Sequence, residues 1–205
     1  PSLWIAEGLT TYYADLFVAR AGLVRQQDWL DWMSRLIADL QNTPGRRVET
    51  LSAASLDVWR SESSGVDMNN ANTVSYYTKG PVVGLLLDAH IRTLTNGTRS
   101  LDDVMRAAYA KYAGATGYTP EQFQAVADSV AGADLTDWFH GALDSTQELD
   151  YQEMLDWFGL QFAGAGNKTE RWALQVVEKP TPEQEQHLKD ILRADVEPVP
   201  AGSGG

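Results

Sequence analysis

The stretch from Val74 to Leu94 is strongly apolar and carries a single proline, Pro81, near its start. Its length and hydropathy predict one central helix around which the other elements must pack. An interior proline removes a backbone hydrogen bond and clashes with the preceding turn. Pro81 is therefore tolerable only near the helix N-terminus, which places Tyr77 in or just before the first turn. Asn96-Gly97-Thr98 ends the element.

Helical signals dominate up to about residue 158. A first helix is expected from Leu3 to about Arg20, ending near Gly22. A second runs from about Val24 to Leu40, with Trp29, Met33, Leu36, Ile37 and Leu40 as its buried stripe. Asn42-Thr43-Pro44-Gly45 is a stop and turn. A shorter helix covers Leu51 to Trp59, and Ser61 to Asn72 reads as a polar loop leading into the tyrosines. Ser100-Leu101-Asp102-Asp103 resembles a capping box and opens a helix through about Tyr112. Thr119-Pro120-Glu121-Gln122 supplies a cap, a proline at the first helical position and a polar partner for a helix ending near Gly132. Asp134 caps another through about Leu143, and Tyr151 to Phe158 forms a last short one.

The character changes after Gly159. Leu160 to Phe162 and Trp172 to Val177 are expected to pair as short strands across the connector Ala163-Gly164-Ala165-Gly166-Asn167. Thr181-Pro182-Glu183-Gln184 opens a helix to about Arg193. The fold class expected is mainly α, a helical bundle with a short β pair near the C-terminus. The organisation expected is a helical lobe over 1–160, an appendage over 161–197 and a disordered tail over 198–205.

Composition limits the functions on offer. The 205 residues carry a net charge of −12, which argues against a nucleic-acid partner and an anionic membrane surface. The absence of cysteine excludes a disulfide framework and a thiolate metal site, without fixing a compartment. No run of 18 apolar residues is present.

The chemistry centres on Trp4-Ile5-Ala6-Glu7-Gly8-Leu9-Thr10-Thr11-Tyr12-Tyr13. Glu7 is a lone carboxylate on an otherwise apolar helix, sharing a face with Thr10, Thr11, Ala14 and Val18 and with no Lys or Arg. Such a group is costly to bury unless it is paired or bound to a metal. A partly exposed glutamate near a helix N-terminus is the bland reading.

Trp-x-x-Glu-Gly followed by Thr and paired Tyr resembles the segment after the His-Glu-x-x-His helix in glutamate-zincin metallopeptidases, closest to the glycyl aminopeptidase family. Ser75-Tyr76-Tyr77-Thr78-Lys79-Gly80 resembles that group's Tyr-x-Lys-Gly motif. Further matches follow in family order: Ala21-Gly22-Leu23, Asn42-Thr43-Pro44-Gly45-Arg46, Ser100-Leu101-Asp102-Asp103-Val104-Met105 and Gly132-Ala133-Asp134-Leu135-Thr136-Asp137-Trp138-Phe139. Together they cover about residues 3 to 160.

The resemblance implies the C-terminal lobe of a thermolysin-like catalytic domain, in a parent enzyme that cleaves N-terminal glycine or other small residues from peptides using zinc. Glu7 takes the position of the third zinc ligand. Tyr77 takes that of the tyrosine that assists catalysis, with Tyr76 as its rival, and Lys79 reads as an anchor for a carboxylate or a solvated helix-end charge. The family often carries a PDZ-like domain, and no segment of that size lies between the helical lobe and the tail, which resembles the family's extreme C-terminus.

The departure matters as much. No His-Glu-x-x-His occurs, and His90, His140 and His187 stand in separate segments. Zinc in such enzymes needs two histidines four apart plus a third ligand. The chain alone is expected to be inactive and to bind zinc weakly, its natural partner being the upstream half of the catalytic domain. Self-association through Trp4, Ile5, Leu9 and the Glu7 face is expected if that half is missing. If Glu7 and Tyr77 serve one zinc ion, their polar atoms should lie within roughly 5 to 9 Å in the complete enzyme. The alternative is a non-catalytic helical module whose tryptophan-rich surface binds a partner protein.

Overall fold

The computed structural model describes residues 2–57, 69–114 and 117–193. The chain begins with a π-helical turn, Trp4–Leu9, that runs without a break into α1 (Thr10–Arg20). Next come α2 (Gln26–Asn42), a 3-10 turn at Pro44–Arg47, and α3 (Leu51–Asp57). The long α4 (Tyr76–Leu94) is followed by α5 (Leu101–Tyr112) and α6 (Pro120–Ala131). A short α7 (Thr136–Phe139) continues into a second π turn, His140–Asp144, and leads to α8 (Gln152–Phe158). Two three-residue strands, β1 (Leu160–Phe162) and β2 (Leu174–Val176), precede the last described helix, α9 (Pro182–Ile191).

The helix boundaries follow local chemistry. Ser75 caps α4 by accepting the Tyr77 amide at 3.0 Å. Pro81 lies in the second turn, so the bond it forgoes would have gone to the Tyr77 carbonyl. The Ser100 amide donates to Asp103 at 2.9 Å, and the Thr119 amide to Gln122 at 2.8 Å, as capping boxes require. Gly132 and Gly159 close α6 and α8 in the left-handed conformation. The expected end of the third helix at Trp59, most of the Ser61–Asn72 loop and the tail at 198–205 lie outside the described residues.

The central position of α4 is plain from its neighbours: the first π turn and α1, α2, α3, α5, α6 and α8 all touch it. From Thr78 to Ala89 every residue of α4 is buried. Asp88 is the polar hub of this core. It accepts from the Tyr12 hydroxyl at 3.2 Å, from Arg92 at 3.1 Å and from the Leu101 amide at 2.7 Å, joining α1, α4 and α5. Three partners offset the cost of burying the charge.

β1 and β2 pair antiparallel, with Leu160 opposite Val176 and Phe162 opposite Leu174. Phe162, Trp172 and Tyr151 pack edge-on over the pair. No described helix is long and apolar enough to cross a membrane.

Candidate active site

Glu7 sits in the π turn, and Tyr77 in the first turn of α4. The Tyr77 hydroxyl donates to Glu7 Oε2 at 2.9 Å. This is closer than the separation that a shared metal implied from sequence, because the two side chains bond directly. Glu7 forms no ion pair with any described Lys or Arg. Hydrogen bonding to Glu7 is the chief cause that pushes the Tyr77 phenol up to about 12, so it stays a proton donor across the neutral range.

The two adjacent tyrosines separate clearly. Tyr76 is buried against the core, while Tyr77 is 41% exposed. Their rings lie 4.7 Å apart. Tyr77 is the one whose hydroxyl reaches Glu7, in line with its place two residues before Lys79-Gly80.

Two glycines stand beside this meeting. A Cβ built on Gly8 would stand 2.8 Å from the Gly80 Cα and 3.0 Å from the Tyr76 carbonyl oxygen. A Cβ on Gly80 would stand 2.8 Å from the Gly8 Cα. The π turn and α4 thus touch backbone to backbone. Glu7 precedes one glycine by one residue, and Tyr77 precedes the other by one helical turn.

Lys79 contradicts its expected place as an anchor or a solvated helix-end charge. It is only 2% exposed, and its Nζ has no hydrogen-bond partner among the described residues. Burial pushes the ammonium down to about 8, against the pull of Glu148. Lys79 follows the turn of α4 into the core on the side away from Tyr77. Nothing in a Tyr-x-Lys pattern at a helix start distinguishes that from a solvated lysine.

The apolar residues named for self-association lie inside the chain. Trp4, Ile5 and Leu9 are buried within this chain, Trp4 against Phe123 and Phe139. They pack on α4, α6 and α7 and are not available to a second copy.

The histidines keep their separate places. His90 Nδ1 lies 2.8 Å from Glu153, with its ring stacked on Trp138. His187 Nδ1 lies 3.0 Å from the Trp157 carbonyl oxygen. His140 is exposed, 3.9 Å from Asp144. Among the described residues no three His, Cys, Asp or Glu side chains are grouped so as to hold a metal ion. Glu7 suits the part of one zinc ligand, being a carboxylate with no cation partner among the described residues, but the donor set described is not a metal site by itself.

Two features were not anticipated from sequence. The Asp88 hub had a signal, an acid inside an apolar helix with an arginine four residues on. The glycine crossing had one in the spacing of Gly80 and Gly84.

The sequence model of the M61 glycyl aminopeptidases matches residues 1–83, a stretch that holds both Glu7 and Tyr77. Over that stretch the chain is similar to the glycyl aminopeptidase family. Among solved structures, an aminopeptidase N family protein from Idiomarina loihiensis superposes with a TM-score of 0.68 at 23% identity. The match covers 77% of this chain and 27% of that one, so the chain corresponds to about a quarter of that protein's length and shares its fold there. No curated protein matches. The chain therefore carries a peptidase-family match over its first 83 residues and the mainly helical fold of the matching segment of that neighbour.

Proposed function

We propose that this chain is the C-terminal helical lobe of the catalytic domain of a zinc aminopeptidase that releases N-terminal glycine or other small residues from peptides. The single observation carrying this reading is the 2.9 Å bond between Glu7 and Tyr77, the two residues that the family resemblance picks out, 70 positions apart. Nothing about the packing of an ordinary helix pair requires a carboxylate with no cation partner among the described residues to meet a half-exposed phenol beside a glycine crossing.

In this reading Glu7 supplies one of three protein ligands. The other two, and the general base, belong to a His-Glu-x-x-His helix that the sequence does not contain. Zinc, when bound, polarises the scissile carbonyl and lowers the pKa of a water. The work of this chain's own residues is narrower. Tyr77 stays protonated because Glu7 disfavours the phenolate, and it offers its proton to the oxygen on which negative charge develops. Glu7 holds the phenol in place until then. By itself the chain is inactive and binds zinc weakly, since one carboxylate cannot replace two imidazoles.

The test uses a complete family enzyme that contains this segment. Tyr77→Phe should lower kcat about 100-fold, the cost of one lost oxyanion donor, with zinc content unchanged. Glu7→Gln should lower zinc content. Full turnover by Tyr77→Phe removes the tyrosine from the reaction and leaves only the fold-level likeness.

A further inference from the structure

We propose that Gly8 and Gly80 are positioning residues: the contact of their bare α-carbons sets the spacing at which the Glu7 carboxylate meets the Tyr77 hydroxyl. The inference rests on the reading of Glu7 and Tyr77 as one site.

Glycine inside a helix costs about 1 kcal/mol relative to alanine. The seam between the π turn and α4 carries three of them, Gly8, Gly80 and Gly84. If burial alone were at stake, alanine at these places would save that cost, with the two helices slightly farther apart within the usual interaxial range of about 8–10 Å. What glycine adds is backbone contact.

That contact matters to the pair because the phenol has little slack. The tyrosine ring is rigid, and here it rests on Tyr76 with 4.7 Å between centroids. Its hydroxyl goes where the start of α4 sends it. Tyr77 and Gly80 are three apart, so they lie on one face of α4. Any shift of the backbone at Gly80 moves Tyr77 with it. An opening of about 1 Å would carry a 2.9 Å bond past the limit of about 3.5 Å.

The seam contains its own control. A Cβ on Gly84 would meet the Leu9 Cδ2 at 2.8 Å and a Tyr12 ring carbon at 3.4 Å. The first of these is the end of a flexible side chain, which can turn aside. At Gly8 and Gly80 the obstacles are Cα and carbonyl atoms, and only a helix shift relieves them. The same glycine-to-alanine change thus tests two situations one turn apart.

The experiment is a set of crystal structures of this chain: the parent sequence, Gly8→Ala, Gly80→Ala, Gly84→Ala and Glu7→Asp. The parent and Gly84→Ala should keep the hydroxyl–carboxylate bond. Gly8→Ala and Gly80→Ala should lengthen it beyond about 3.5 Å. Glu7→Asp leaves the glycine contact intact and shortens the carboxylate's reach by one methylene, so it too should lose the bond; it stays informative if an alanine variant does not fold. A bond retained in Gly80→Ala, or in Glu7→Asp, would show that side-chain freedom sets the spacing and would overturn the proposal. So would a bond lost equally in Gly84→Ala, which would mark general loosening of the core. These outcomes are separate from the function reading: full turnover by Tyr77→Phe removes the catalytic role while leaving the glycine geometry as measured.

Discussion

Glu7 and Tyr77 meet where two backbones touch, whereas α9 reaches α8 through stacked rings. His187 lies flat on Trp157, with ring centroids 3.7 Å apart, and the Gln184 side-chain amide donates to the Asp156 carbonyl oxygen at 2.8 Å. Leu188 and Ile191 supply the buried face of α9. At the first π turn the approach is made by removing side chains, and at α9 by adding large ones. The difference shows what each contact is for. Covering a surface needs area, which aromatic and aliphatic groups provide. Holding the Tyr77 phenol 2.9 Å from Glu7 is, on the proposal above, the work of the backbone contact at Gly8 and Gly80.

This contrast breaks down if the two regions respond alike to mutation. The largest effect is expected at the hub beneath the crossing. Asp88→Ala leaves Arg92, the Tyr12 hydroxyl and the Leu101 amide without their shared acceptor, so stability should fall by about 3–5 kcal/mol. Urea unfolding measures it. A loss under about 1 kcal/mol would mean that the core around α4 is held by packing alone.

Lys79→Met should move in the opposite direction. The folded chain binds the Lys79 proton less tightly than the unfolded one, about 8 against an ordinary 10.5. Below pH 8 the whole penalty for the buried ammonium is present, and it is relieved as pH rises from 8 to 10.5. The variant should therefore gain roughly 3 kcal/mol at pH 7, and the gain should fade across that window. A stability difference independent of pH would locate the effect in methionine packing.

His187→Ala should have the smallest effect, about 1 kcal/mol or less, since it removes one stacked ring from a partly exposed face. Its signature is local. Amide exchange should speed up in α9 while α1 and α4 keep their protection. Faster exchange throughout would join the two regions into one cooperative unit and erase the distinction.

Helix boundaries were the most legible part of the fold, because caps are local chemistry. Ser100 with Asp103, Thr119 with Gln122 and Thr181 with Gln184 each announce a helix start within four residues. Pro81 was equally informative, since its ring fixed where α4 could begin. The short β pair was legible from its bounding glycines.

The π turn was not legible. Wider backbone bonding over Trp4–Leu9 leaves no mark in an apolar sequence that also suits an α-helix. The burial of Lys79 and of Trp4, Ile5 and Leu9 was hidden for a different reason. It depends on which distant elements, α6 and α7 in the case of Trp4, cover each face. For the candidate site, the resemblance named Glu7 and Tyr77. Only the fold places one against the other, and the roles assigned to them remain the proposal above.

The central claim is that Glu7 and Tyr77 serve one zinc ion. Anomalous diffraction at the zinc edge, on crystals of a complete family enzyme containing this segment, tests it most directly. The account predicts a peak about 2 Å from a Glu7 carboxylate oxygen, with the Tyr77 hydroxyl facing the open coordination position. A peak held without Glu7, or a Tyr77 hydroxyl turned away from the metal, would contradict it.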